Sequence, residues 1–281
     1  MRFAWGVLGW NVLVVLWGAY VRASGSGAGC GSHWPLCNGE VVPVAPQIKT
    51  IIEFTHRLMS GVALVAVGAL WLWSRRVFPR GGRARNSAAL SLVFLLTEAA
   101  LGAGLVLFDY VGGNASVGRA AYLSLHLVNT LFLLATLALT AWWSRDNGRQ
   151  QRSPWLLVAL GAAVVVSVTG AIAALGDTLF PASSLTEGFR QDLSAAGSFL
   201  LRLRILHPAL AILSGLYFVT VSITSFRATG RKLALLVLTL AIVQLTAGAV
   251  NVLLLAPIWM QITHLLVADL LWIALVLVAM G

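Results

Sequence analysis

Four histidine residues stand inside long apolar segments of the chain, where a polar imidazole is by default a candidate functional group. Each lies about six or seven residues into its segment, so at a rise of 1.5 Å per residue all four share one depth, roughly 10 Å below one membrane surface. Such side chains ligate metals, relay protons or form hydrogen bonds between helices. They are His56, His126, His207 and His264.

Their common depth favours metal ligation, while separate interhelical hydrogen bonds and a proton relay remain open as alternatives. Zinc needs three or four ligands close together, whereas haem iron takes two axial ligands from facing helices of a bundle. We therefore predict a bis-histidine haem site in each half of the chain. The pairs are His56 with His126 and His207 with His264.

A carboxylate distinguishes the first predicted site from the second. Glu53 precedes His56 by three residues and so shares its helical face, whereas the same position before His207 is Arg204. A carboxylate beside a haem suits acid–base or charge-stabilising chemistry. The alternative is that Glu53 only forms an interfacial ion pair with Arg57.

Five arginines are predicted near the same membrane surface as the histidines. Haem propionates that face this surface would explain them through charge-assisted pairs. Ordinary snorkelling of long side chains to the interface is the alternative. The five are Arg22, Arg57, Arg119, Arg202 and Arg204.

The only two cysteines of the chain, Cys30 and Cys37, lie in a turn-rich loop before the second apolar segment. A short bridge between them is sterically reasonable and would staple the loop. A redox-active pair near the first haem is a second interpretation. A zinc site that includes His33 is a third, although a fourth ligand is not evident.

Composition identifies the elements that must position these residues. The 281 residues are 59% hydrophobic and 10% charged, with a mean hydropathy of +0.89, whereas soluble domains are about 45–50% apolar and about 25% charged. We predict an all-α polytopic membrane protein with eight transmembrane helices. The first segment also has the features of a cleaved signal peptide, but it is longer than a typical apolar signal core. The predicted spans are near 4–23, 51–74, 87–108, 120–143, 154–175, 200–224, 233–256 and 258–280.

The basic residues predict the orientation of these helices. Twelve of the 19 Lys and Arg residues fall on one side, at Arg2 and in the connections near 75–85, 145–152 and 227–232, against the single acid Asp146. The positive-inside rule places that side and both termini in the cytoplasm, and the cysteine loop on the oxidising side. The net charge of +10 then reflects topology, and no nucleic-acid partner is expected because the basic loops are short and lack interleaved aromatic residues.

The two halves of the chain resemble each other. Glu98 precedes Gly102 by four residues in the third span, as Gln244 precedes Gly248 in the seventh. We predict two four-helix bundles, residues 1–150 and 151–281, related by a pseudo-twofold axis along the membrane normal. Gly102, Gly104 and Gly248 are interpreted as close helix-packing positions, and Glu98 and Asp269 as structural residues.

The combination of these motifs resembles the bacterial haem A synthase family over essentially the whole chain. The resemblance rests on the Cys-x6-Cys loop with Trp34-Pro35 inside it and on the following segment Glu53-Phe54-Thr55-His56-Arg57. It also rests on one histidine in each of the fourth, sixth and eighth spans.

The resemblance implies that the protein oxidises the C8 methyl group of haem O to a formyl group by successive hydroxylations. The product is haem A for cytochrome oxidase biogenesis. By the same resemblance, His56 and His126 flank the substrate haem and Glu53 assists the oxidation. His207 and His264 hold the iron of a haem b. The pair Cys30 and Cys37 either stabilises the loop as a disulfide or contacts the substrate transiently.

The resemblance also implies a bacterial plasma-membrane location and functional partnership with a haem O synthase. We expect that partner to be a separate protein, because the sequence carries no prenyltransferase-like extension. Small-residue faces permit a homo-oligomer within the lipid bilayer. Two rival functions remain: a di-haem b-type electron-transfer protein, which needs neither Glu53 nor the cysteine loop, and a proton-coupled transporter, which would bind no chromophore.

Overall fold

The computed structural model describes residues 2–145, 154–194, 197–224 and 231–281, and within these ranges the chain is helical without a β-strand. Helices suit this sequence because a lipid-embedded backbone must satisfy its polar groups internally. Ten helices occur in the described ranges. They are α1 Arg2–Ala23, α2 Ile48–Val77, α3 Arg83–Leu107, α4 Val117–Trp143, α5 Pro154–Leu179, α6 Leu185–Leu193, α7 Phe199–Arg204, α8 Leu206–Thr224, α9 Arg231–Leu253 and α10 Ile258–Met280.

Eight helical segments in the described ranges are long and apolar enough to cross a membrane, and α7 and α8 together form one of them. The protein is therefore a multi-pass membrane protein, as the sequence predicts. The break between α7 and α8 follows from Pro208, whose ring would clash with the carbonyl group of Arg204 in a continuous helix.

The second long connection of the predicted topology differs from expectation. The predicted spans 154–175 and 200–224 leave residues 176–199 as a connecting loop, but α5 continues to Leu179 and the short helix α6 follows. The side-chain oxygen of Ser184 accepts a hydrogen bond from the Glu187 N–H (3.2 Å) and so caps the first turn of α6. A polar helix this short repeats its amphipathic pattern too few times to be recognised in a sequence dominated by eight apolar spans.

The helices pack as neighbours along the chain, α1 on α2, α3 on α4, α5 on α8 and α9 on α10. Among the eight spans, α4 and α10 are the most buried. Their C-terminal parts, residues 133–141 and 271–279, are buried without interruption. There the indole N–H of Trp272 donates a hydrogen bond to the carbonyl oxygen of Leu131 (2.7 Å), which ties α10 to α4.

Packing is looser in the N-terminal parts of α4 and α10, which carry two of the histidines. Most residues of 117–129 and 258–268 keep part of their surface exposed, in contrast to the closed core farther along the same helices. The bundle is thus tightly packed at one end and open between its helices at the other.

Several predictions depend on residues that are not described. The proposed boundary between residues 150 and 151 falls there, as do Asp146, Arg149, Arg152 and Arg227, which contribute to the orientation argument. The described parts of the two halves pack against each other, since α4 contacts both α5 and α10. The pseudo-twofold axis and the cytoplasmic location of the termini stay predictions.

A reporter enzyme that is active only outside the cytoplasm tests the orientation. Fused after Gly281, it is expected to be inactive, because the charge bias retains that end in the cytoplasm. The matched control inserts the same reporter at Gly113, an exposed residue of the turn between α3 and α4, where activity is expected. The opposite pattern of activities would contradict the predicted orientation.

Candidate functional site

Each of the four membrane histidines packs its imidazole against a glycine of another long helix. A methyl group added to Gly18, Gly102, Gly170 or Gly248 would lie 3.0, 3.9, 2.9 or 3.1 Å from the Cε1 atom of His56, His126, His207 or His264, respectively. The first two contacts join α1 to α2 and α3 to α4, and the last two join α5 to α8 and α9 to α10. The same ring-on-glycine contact therefore occurs twice in each half.

A carboxylate that the sequence interpretation treated as structural, Glu98, contacts His126 of the first predicted pair. The Oε1 atom of Glu98 lies 3.3 Å from Nδ1 of His126, although the N–H direction is not aligned for a hydrogen bond and Nδ1 has no hydrogen-bond partner. We treat this contact as electrostatic.

The two imidazoles of the second predicted pair lie close together. The ring centroids of His207 and His264 are 6.4 Å apart and the rings are nearly perpendicular, at 80°. Two imidazoles on opposite sides of one iron have centroids about 6 Å apart, because each metal–nitrogen bond is about 2 Å and each ring adds about 1 Å. The Oγ1 atom of Thr169 lies 3.2 Å from Nδ1 of His207, and Nε2 of Gln244 lies 3.3 Å from Nε2 of His264.

These residues fit a haem better than another metal centre. The Nδ1 atoms of His56, His126 and His264 are buried without a hydrogen-bond partner, so the protein leaves part of the bonding capacity of each ring unused. The described residues contain no group of three or more His, Cys, Asp or Glu side chains that could hold a metal ion. Two-ligand sites in the open end of a helical bundle are what haem iron requires.

Glu53 is not directed at its histidine neighbour but at the cysteine loop. Its carboxylate is buried, pairs with Arg57 (2.5 Å) and accepts a hydrogen bond from the Cys30 backbone N–H (2.9 Å). Arg57 in turn donates to the carbonyl oxygens of His33 and Leu36, at 2.8 and 2.6 Å. The Glu53–Arg57 pair therefore fastens the loop to α2, one turn from His56.

The two cysteines are joined by a disulfide with an S–S distance of 2.00 Å. This confirms the predicted disulfide. The zinc interpretation is wrong for this structure, since neither cysteine presents a free thiolate to a metal beside His33. The backbone N–H of Asn38 donates to the Cys30 carbonyl oxygen (3.0 Å), and the hydroxyl of Thr50 donates to the Gly29 carbonyl oxygen (2.8 Å), so the bridge belongs to a loop packed on the start of α2.

Four of the five predicted propionate-binding arginines have protein partners. Arg57 contacts Glu53 and the loop, and buried Arg119 donates to carbonyl oxygens in the turn between α3 and α4, at 2.6 and 2.8 Å. Arg22 crosses between the halves and donates to the Ala174 carbonyl oxygen at 2.7 Å. Arg202 is exposed.

Arg204 occupies in the second half the place that Glu53 occupies in the first. It pairs with Asp177 (2.8 Å) and with Asp192 (2.7 Å), and Asp192 belongs to the short helix α6. The residue three positions before the histidine thus fastens the preceding connection in both halves, with opposite charge in each.

Sequence reasoning identified the histidines but missed what surrounds them. Glu98, Gln244 and Thr169 all contact a predicted ligand, and the shared spacing of Glu98 and Gln244 to glycine was the available signal. A second signal was overlooked: each of the four glycines at the rings is followed by alanine, at positions 19, 103, 171 and 249.

Comparison with known proteins identifies a family. Residues 1–276 match the family COX15-CtaA, described as cytochrome oxidase assembly protein. A protein of Thermus thermophilus named protoheme IX farnesyltransferase is 50% identical over 99% of this chain and 47% of its own length. Proteins named heme A synthase are 38% identical in Alkalihalophilus pseudofirmus, over 50% of this chain and 44% of the relative, and 37% identical in Halalkalibacterium halodurans, over 53% and 47%. The match spans less than half the length of each of these relatives.

Alanine substitution of a glycine beside a ring tests whether the histidines are ligands. Gly170→Ala is expected to reduce the haem absorbance of the purified protein, because the new methyl group would lie 2.9 Å from the His207 ring. Gly161→Ala in the same helix is the matched control, since nothing lies within 4 Å of a methyl group there. Equal haem-to-protein absorbance ratios in the two variants would contradict the assignment.

Proposed function

The chain belongs to the COX15-CtaA family of cytochrome oxidase assembly proteins, and from this premise we propose that it is a haem A synthase. In the proposed reaction the C8 methyl group of haem O is oxidised to a formyl group by successive hydroxylations, and haem A is released for cytochrome oxidase. The observation that carries the proposal is the occurrence of two glycine-backed histidine pairs in one membrane bundle. Relatives named heme A synthase support it.

We assign the second pair, His207 and His264, to the iron of a resident haem b. Their 6.4 Å ring separation supports this assignment. Haem b, when bound, supplies reversible electron exchange. The residues of the chain position the two imidazoles. Gly170 and Gly248 let the rings approach the neighbouring helices, and the Thr169 hydroxyl contacts Nδ1 of His207.

We assign the first pair, His56 and His126, to the substrate haem O. This half has the disulfide loop directly above it, held by Glu53 and Arg57. A closed loop keeps water from the site and limits side reactions of an oxidised substrate. Glu53 is proposed to support the oxidation, since its buried negative charge lies one helical turn from His56 and fixes the loop.

The proposed partners follow from the substrate. A haem O synthase, a farnesyl-transferring enzyme, must supply haem O, and a relative of this chain bears the name protoheme IX farnesyltransferase. The proposed location is the bacterial plasma membrane, with the cysteine loop on the extracytoplasmic side. Haem propionates that face the extracytoplasmic side would pair with exposed Arg202. Alternatively, they would displace the protein groups that now contact the other four arginines.

The experiment that tests the function is extraction of the bound haems, followed by mass analysis, after co-expression with a haem O synthase. A haem bearing a formyl group, recovered together with haem b, is the expected result. Haem b alone, with haem O available and unchanged, would contradict the proposal and favour a di-haem electron-transfer protein. Absence of any haem would favour the transporter.

Replacement of Glu53 tests its part in the conversion. Glu53→Ala is expected to retain haem b but to lower the yield of haem A at least tenfold, leaving haem O or a hydroxylated product bound, as loss of about 1.4 kcal/mol of transition-state stabilisation would do. Glu40→Gln, which alters an exposed carboxylate of the same loop, is the matched control and should keep its yield. A normal yield of haem A from Glu53→Ala would remove Glu53 from the mechanism.

A further inference from the structure

Glu98 is the carboxylate that faces the first histidine pair from within the membrane. It lies in α3, and its side chain is mostly shielded, with 18% of its surface exposed. Three groups of α4 surround it: Nδ1 of His126 at 3.3 Å, the Asn129 amide nitrogen at 2.6 Å, and the Thr130 hydroxyl, which donates to Oε1. These residues are spaced i, i+3 and i+4, so they share one helical face.

The neighbours of Glu98 fix its orientation. The Thr97 hydroxyl donates to Oδ1 of Asn129 (2.6 Å), and the Asn129 amide also donates to the carbonyl oxygen of Phe94 (2.8 Å). Asn129 is thus held from two sides and presents its amide nitrogen to Oε2 of Glu98. A carboxylate with two fixed donors cannot easily rotate away from the histidine.

The second half has the same positions but not the same chemistry. Gln244 stands where Glu98 stands relative to the glycine, and it contacts His264, but through the other ring nitrogen, Nε2. Residues three and four positions after His264 are Val267 and Ala268, which offer no hydrogen-bond donor on that face. The second histidine therefore faces a neutral amide without the anchoring network.

A carboxylate at Nδ1 has two consequences for an imidazole ligand. A negative carboxylate 3.3 Å from Nδ1 attracts a proton to that nitrogen, so it favours the tautomer with the proton on Nδ1 and leaves the lone pair of Nε2 for a metal. It also raises the basicity of the ligand and fixes the ring orientation. A more basic axial ligand and a nearby negative charge stabilise the oxidised iron relative to the reduced iron.

We propose that Glu98 is a positioning residue of the first site: it orients His126 toward the substrate haem and makes that haem easier to oxidise than the haem of the second site. This inference rests on the proposed function. It assigns the direction in which electrons leave the first site, from the half that contains Glu98 to the half that contains Gln244. Replacement of Glu98 by a neutral isostere should therefore act on the first haem alone.

The test is a spectroscopic redox titration of the full protein, purified with its haems from cells that co-express a haem O synthase. Glu98→Gln is expected to raise the midpoint potential of one haem and leave the other unchanged. Gln244→Glu is the mirror variant, and it should lower the potential of the other haem. Thr130→Val keeps the charge but removes one anchor, and it should shift the first haem in the same direction as Glu98→Gln, by less.

The outcomes separate the role of Glu98 from the proposed function. Unchanged potentials in Glu98→Gln, with both haems bound, would overturn the role of Glu98 and leave the proposed function intact. Loss of both haems from Glu98→Gln would also overturn it, because the residue would then serve the fold. Loss of the first haem alone would support it, because His126 would no longer be held in the orientation that binds that haem. A wild-type protein without haem would contradict the proposed function itself.

Discussion

The structure depends on one steric constraint, the close approach of an imidazole ring to a helix backbone that has no side chain at that point. At Gly18, Gly170 and Gly248 a methyl group would lie within about 3.1 Å of a ring carbon, closer than carbon atoms pack without strain. Without these glycines the rings would have to turn away or the helices separate. Because the contact recurs in both halves, it sets the positions from which histidines of facing helices can reach a common ligand.

The two halves share this packing of histidine on glycine but differ in a few charged residues. In the first, Glu53 and Arg57 hold the disulfide loop on α2, and Glu98 contacts His126. In the second, Arg204 holds the outer connection through Asp177 and Asp192, and Gln244 replaces the carboxylate. This difference in charge between two similarly packed halves is the basis on which we propose an oxidised substrate for the first half and a resident electron carrier for the second.

Hydropathy was sufficient to predict the eight spans, because lipid demands long apolar helices and leaves few alternatives. Composition and depth also indicated the four histidines and the pairing of the cysteines. The ion pair of Glu53 with Arg57 was one of the two interpretations from sequence and is present. The contact of Glu53 with the Cys30 N–H could not be predicted, since helical periodicity gives a face but not the loop that covers it. The contacts of Glu98 could not be predicted because its partners, Asn129 and Thr130, lie on another helix. The helix α6 was missed because a nine-residue amphipathic helix carries little periodic signal.

The central claim is that each half holds one haem iron between two imidazoles. Low-temperature electron paramagnetic resonance of the oxidised, purified protein tests it most directly, because the signal reports the axial ligands of each iron. We predict two distinct low-spin ferric signals of the bis-imidazole type, one of which disappears in His207→Ala. A single haem signal in the wild-type protein, or signals that survive that substitution unchanged, would contradict it.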